Sequence, residues 1–246
     1  ANDFIVGPKY GITNTHSAEI NYSDKWGEKI EVTGSYFFNA SGNSTEEYLN
    51  REYIQSLDKN YFYEENSYSE NDNYNHRLNI KLDYQIDTFN SILWRPRLSL
   101  QNNQYSSDAG GITSYSPEEI LSTTENTYND HSLGYNFDND LLFRHSFKKR
   151  GRTISLMART GMQNSNSDND LLALNRYFDS SGSLDDTLNQ QSNSDTRGYD
   201  LNAMLMYTEP ISDFGQLQLN LGSNYSHNYS LTETYNYNYD LGVYNI

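Results

Sequence analysis

Cysteine is absent from this chain of 246 residues, so disulfides and thiolate chemistry play no part in it. Proline is scarce, with 4 residues, and no run approaches the roughly 20 apolar residues that a membrane-crossing helix needs. Basic residues are also few. The 17 Lys and Arg against 33 Asp and Glu give a formal net charge of −16, which would repel a polyanion and argues against a nucleic-acid partner. The opening residues, ANDFIVGPKYG, lack the basic segment, apolar segment and small-residue cleavage site of a secretory leader.

Hydrophobic residues make up only 35% of the chain, while aromatics reach 14%, with 23 Tyr. The mean hydropathy is −0.88. A soluble sandwich of this size calls for a denser apolar core, whereas a sheet with one thin apolar band and long wet segments does not. A polar soluble β protein stays open on composition alone.

Residues 75–87, NHRLNIKLDYQID, alternate strictly. Leu78, Ile80, Leu82, Tyr84 and Ile86 fall on one face of a strand, and Arg77, Asn79, Lys81, Asp83 and Gln85 on the other, because strand side chains repeat every two residues. Similar stretches return in pairs joined by short turns. AEINY (18–22) leads through SDKWGE to KIEVTGSYFF (29–38), and 77–86 leads through DTFNS to ILWRPRLSL (92–100). LGYNFDNDLLFRHSF (133–147) leads through KKRGR to TISLMART (153–160), and YDLNAMLMY (199–207) leads through ISDFG to QLQLNLGSNY (216–225). Aromatic or β-branched alternation broken by Gly, Asp and Asn is a hairpin signal. It predicts about eight antiparallel strands in four hairpins.

The segments between the hairpins, 41–74, 105–129 and 166–195, are rich in Asn, Ser, Asp, Glu and Tyr and have little aliphatic pattern. They read as long loops. Short turns on one rim and long loops on the other are the rhythm of an up-and-down transmembrane β-barrel. Trp26, Trp94, Phe147 and Phe214 lie in or near the short turns, and Tyr36, Phe38, Tyr135, Phe137 and Tyr225 lie toward the long segments. Two aromatic rows one strand length apart suit two membrane interfaces, although tyrosines also make good soluble strands. On this reading Leu78, Ile80, Leu82, Tyr84 and Ile86 face lipid. Arg77, Lys81, Asp83, Arg95, Arg97 and Arg159 face the interior, and they are the candidate substrate-contacting residues.

Signs of catalysis or of a bound metal are weak. His16, His76, His131, His145 and His227 are scattered without ligand spacing, and nothing in the sequence calls for a cofactor. The acidic pieces ENDNYN (70–75), DNDLL (138–142) and SDNDLL (167–172) supply oxygen ligands of the kind calcium takes but match no calcium-loop spacing. No G-x-S-x-G elbow is present, and Gly110–Gly111 lacks the lysine of a phosphate loop. Carboxylate pairs such as Glu46–Glu47, Glu64–Glu65 and Glu118–Glu119 are what 33 acidic residues provide by chance. The Tyr- and Asn-rich segments are suited to stacking on and hydrogen-bonding sugars or peptides.

The ordered phrases GIT, INYSDKWG and GSYFFN in 11–39, then HR, YQID and S…RP in 75–103, resemble the barrel region of the Bacteroidetes outer-membrane β-barrel family of TonB-dependent receptors. The resemblance extends less specifically over the later hairpins. It implies a location in the bacterial outer membrane, surrounding lipid, and uptake of a nutrient without covalent chemistry. It also implies a periplasmic energy-coupling protein acting through a plug, and a surface lipoprotein as a further partner. Such receptors place a plug inside 22 strands. With about eight strands, no plug and the ending VYNI, residues 1–246 are expected to be one β-barrel region within a larger plugged barrel. The competing expectations are a self-contained small outer-membrane barrel with an adhesin or structural role, and a soluble β-rich carbohydrate-binding module.

Overall fold

The computed structural model describes residues 11–55, 59–179, 182–212 and 214–245. The described residues form one antiparallel sheet in which every strand pairs with the next in sequence. The strands are β1 (Ile12–Trp26), β2 (Ile30–Tyr53), β3 (Tyr61–Gln85), β4 (Asn90–Ser116), β5 (Glu119–Ser146), β6 (Thr153–Asp179), β7 (Gly182–Ser212), β8 (Gly215–Asn238) and the short β9 (Val243–Asn245). The described residues thus hold nine strands rather than eight. The sheet is open, with β1 at one edge and β9 at the other, so the described residues do not form the closed ring that the competing small-barrel expectation called for.

The largest departure concerns the segments read as loops. Most of 41–74, and all of 105–116, 119–129, 166–179 and 182–195, is strand, continuing the hairpins without interruption. Tyr53 pairs with Tyr61 at the end of one hairpin, and their rings stack at 4.6 Å. Asp179 pairs with Gly182 at the end of another. The physical reason for the misreading is that both faces of these extensions are polar. Hydrogen bonds between neighbouring backbones hold them together, and no apolar alternation advertises them. Side chains add cross-strand links of their own. Ser192–Thr234, Ser194–Thr232 and Thr196–Ser230 join hydroxyls across β7 and β8 at 3.2, 2.9 and 3.0 Å.

The turns at the other rim are tight. Gly27 (φ 72°) and Gly151 (φ 83°) take left-handed conformations that a side chain would strain. In the β3–β4 turn, Asp87 Oδ1 accepts the N–H groups of Phe89 and Asn90 at 2.7 and 2.8 Å. This pattern of local closure explains why Asp appears there.

Register puts the alternating residues of successive strands in common rows. Tyr36, Leu78, Leu98, Phe137, Met162 and Tyr199 lie directly opposite one another on one face. The apolar band occupies nine residues of each central strand, at 92–100, 135–143, 154–162 and 199–207. Pro96 sits inside the band on β4, where its missing N–H coincides with a gap in the β3–β4 ladder at Ile80 and Lys81. Beside it, Trp94 Nε1 donates to Asn139 Oδ1 at 2.5 Å, which gives the Asn139 carbonyl a partner on the apolar face. Trp94 therefore lies within the strand rather than at the turn, while Trp26 and Phe147 flank the turns as expected.

Among the described residues no second layer covers this sheet. The solvent-accessible surface is 17248 Å². A compact protein of 28.5 kDa would expose about 11,000 Å². Ile20 (69%), Leu221 (68%) and Met162 (53%) stand largely bare.

Candidate functional site

The site is built on the face opposite the apolar band. Arg95 and Arg97 occupy alternate positions of β4, Asp140 lies on β5 and Arg159 on β6, and the register aligns Arg95, Asp140 and Arg159 in one row. Strand alternation sends all four side chains to the polar face because their neighbours Trp94, Leu141 and Ala158 belong to the apolar one. The Asp140 carboxylate is 3.5 Å from Arg95, 3.7 Å from Arg97 and 3.3 Å from Arg159. It is the shielded member, with 16% of its side chain exposed against 45–54% for the three guanidinium groups.

At these separations the cluster is held by charge more than by aligned hydrogen bonds. One carboxylate serves three cations, so the guanidinium groups keep donors for another acceptor. Arg95, Arg97 and Asp140 line an open hollow of about 510 Å³ together with Lys81, Asn79, Thr33 and Asn21.

Of the six residues singled out from sequence, the structure brings Lys81, Arg95, Arg97 and Arg159 into this neighbourhood. Arg77 shares the polar face but stands one row further from the cluster, opposite Phe37 and Ser99. Asp83 stands one row toward the short turns, opposite Glu31 and Leu93. Asp140 was not among the expected residues although it lies inside DNDLL; only the pairing of β5 with both neighbours reveals it as the hub.

Charge is divided along the strands as well as across them. Beyond the apolar band, the described residues of 39–75, 101–134, 165–196 and 230–245 hold 20 of the 33 acidic residues and 3 of the 17 basic ones. These distal extensions therefore carry a formal charge of −17, more than the −16 of the whole chain. Within them Arg176 grips Asp185 with two bonds of 2.6 and 2.9 Å, which hold the Asp185 carboxyl below its usual range. Tyr63 packs over Gly111 and donates to Glu65, and burial first and that bond second push its phenol up to about 12.

The short-turn rim carries a different cluster. Glu209 accepts from Lys149 Nζ at 2.6 Å, from Arg152 Nε and Nη2 at 2.6 and 2.8 Å, and from the Tyr207 hydroxyl at 2.5 Å, tying the β5–β6 turn to the end of β7. The Arg152 bonds, then those from Lys149 and Tyr207, hold the Glu209 carboxyl far below its usual range. A carboxyl with a depressed pKa in the folded state stabilises fully above its unfolded pKa and loses that contribution as pH falls toward the folded value. The urea midpoint of Glu209→Gln should therefore sit below wild type by a constant amount from pH 7 to 5, and the gap should narrow progressively below pH 4.5. A gap independent of pH down to 3 would show that Glu209 acts through packing alone.

Among the described residues no group of three or more His, Cys, Asp or Glu side chains is arranged to hold a metal ion. No helix is long and apolar enough to cross a membrane, which says nothing about crossing with strands. No family model matches the chain and no curated protein matches it. Among solved structures it is similar to the siderophore receptor PiuA from Acinetobacter baumannii, at 8% identity and a TM-score of 0.24. The match covers 91% of this chain and 42% of that one, so the chain spans less than half of that receptor's length. A likeness of that size carries no argument about fold or function.

Proposed function

We propose that this sheet is part of the wall of an outer-membrane β-barrel receptor of the TonB-dependent kind, which takes up a nutrient without covalent chemistry. The observation that carries the reading is the apolar band. Nine residues per strand match the 9–11 that a tilted strand needs to cross a bilayer. Aromatic residues mark both limits. Phe38, Tyr135 and Tyr229 stand toward the distal side, and Trp26, Phe143 and Tyr207 toward the short turns, whereas Tyr225, read from the sequence as distal, shares a row with Leu201 and Pro96 inside the band.

The rest of the arrangement fits a barrel wall. Lipid would cover the exposed leucines and isoleucines, and the polar face with its Asp140 cluster would line the interior. The acidic extensions would stand in solvent on the outer side, where their charge keeps them wet and apart. Further strands would pair with β1 and, along the apolar band, with β8, whose only other partner is the short distal β9, since an unpaired edge inside hydrocarbon leaves backbone groups without partners. Energy from the inner membrane would act through a plug and a periplasmic partner, with a surface lipoprotein as a second partner.

The test is to probe washed outer membranes with an antibody against this segment and read the mass of the native polypeptide. The expected result is a membrane band two to four times the mass of this chain, about what 22 strands and a plug require. A membrane band near 28.5 kDa would favour a complete small barrel of adhesin or structural type and remove the plug-gated mechanism. Signal confined to the soluble fraction would overturn the membrane reading.

A further inference from the structure

The polar face changes sign from one side to the other. Over β2–β4 lies the cationic hollow with Lys81, Arg95 and Arg97. Over β5–β8 lies a second hollow, about 410 Å³, containing Asp138 and Asp200 with the amides of Asn136, Gln163 and Asn228. Arg97, Asp138, Gly161 and Asp200 follow one another in a single register row. Arg97 nevertheless reaches to Asp140 and not to Asp138, which faces it across the strands. Among the described residues neither Asp138 nor Asp200 makes an ion pair with any of the cations nearby.

Glycine shapes the floor of the second hollow. A Cβ at Gly161 would lie 2.2 Å from Asp200 Oδ1, and one at Gly198 would lie 2.5 Å from Asn228 Oδ1 and 2.7 Å from Gln163 Nε2. The absence of side chains at these two positions lets Asp200, Asn228 and Gln163 lie across the sheet. The result is a shallow amide-lined trough, anionic at one end, that opens beside a cationic one.

We propose that this row binds a short zwitterionic peptide, with its carboxylate toward Lys81, Arg95 and Arg97 and its ammonium toward Asp138 and Asp200. The inference rests on the barrel reading, which makes this face an interior wall, and it names the class of solute the wall recognises. Length follows from the sheet. Arg97 on β4 and Asp200 on β7 are three strands apart, about 14 Å at the usual strand spacing of ~4.8 Å. An extended peptide gains about 3.3–3.6 Å per residue, so about four residues fit. Asn136, Gln163 and Asn228 offer both donors and acceptors for its backbone, whatever its side chains.

The experiment uses the full-length native protein in detergent, with binding read by calorimetry. Three probes differ only at their ends: tetra-alanine with free termini, its N-acetylated form and its C-amidated form. Tetra-alanine is expected to bind, and either block should weaken binding about tenfold or more, because each removes a charge-assisted contact. Asp138→Asn with Asp200→Asn should erase the penalty for acetylation and keep the penalty for amidation. Arg97→Gln should reduce the penalty for amidation and keep the penalty for acetylation. Equal binding of all three probes, preference for a singly charged form, or no binding by protein that fractionates with the outer membrane would overturn the proposal. Soluble fractionation, by contrast, would remove the barrel reading itself, so the two failures are told apart.

Discussion

Ile80→Arg is expected to destabilise the protein in a lipid bilayer by about 2–4 kcal/mol, the cost of a cation near the midplane on the lipid side of a barrel. Ile80 lies in the middle row of the apolar band, two rows from Tyr84 and two from His76 on its own strand. Its partner on β2 is Gly34, and the nearest atom to a Cβ built there is the Asn79 carbonyl at 3.7 Å, so the new side chain meets open space rather than a clash. What is lost is solvation of the charge.

Two controls make this specific to depth and face. Leu133→Arg, one row beyond the distal aromatic Tyr135, should cost about 0–1 kcal/mol, because a long cationic side chain reaches water from the interface. Asn79→Arg, on the opposite face of the same strand but opposite Arg97 and beside Lys81, should cost less than Ile80→Arg and its cost should fall with added salt, because repulsion in a wet hollow is screened and burial in lipid is not. Urea titration of protein refolded into vesicles measures all three. Equal small effects for Ile80→Arg and Leu133→Arg would mean that water, not lipid, covers this face.

Asp140→Asn is expected to cost about 1–2 kcal/mol. Removing one partner of a buried ion pair commonly costs ~3–5 kcal/mol. Here the guanidinium groups are 45–54% exposed, so water and salt recover much of that. The amide keeps the size of the carboxylate and leaves Arg95, Arg97 and Arg159 facing one another without a counter-charge.

The cost should shrink at high salt, since screening weakens the repulsion that remains. Adding Arg159→Gln to Asp140→Asn should recover part of the loss, giving a coupling that a double-mutant cycle detects. Strict additivity of the two substitutions at low salt would show that Asp140 does not organise the arginines.

Much of this fold is legible in the chain because a half-apolar strand writes its two faces into alternate residues. Leu78, Ile80, Leu82 and Tyr84 share a face in the sequence and in the sheet. Three of the tight turns are equally legible, since Gly27, Asp87 and Gly151 are residues that turns need for stated reasons. The distal strands are not. In SGNSTEE (41–47) and SNSDTRG (192–198) both faces are polar, and the same composition serves a loop and a solvated hairpin.

The candidate site divides in the same way. Alternation alone sends Lys81, Arg95, Arg97 and Arg159 to the polar face, because each lies between residues of the apolar one. Nothing local distinguishes Asp140 from Asp138 two positions earlier, yet one gathers three arginines and the other gathers none. That difference arises from register, which sets Asp140 between Arg95 and Arg159 across two ladders.

Sequence by itself therefore determined the strand period, the turns, the two faces and the sign of the total charge. Only the tertiary structure decided which charges meet, that the acidic segments continue the hairpins as strand, and that the sheet ends in two open edges. Period and turn chemistry are properties of a few adjacent residues. The others depend on pairing between strands tens of residues apart, and a shift of one residue in that pairing would exchange the faces of an entire strand.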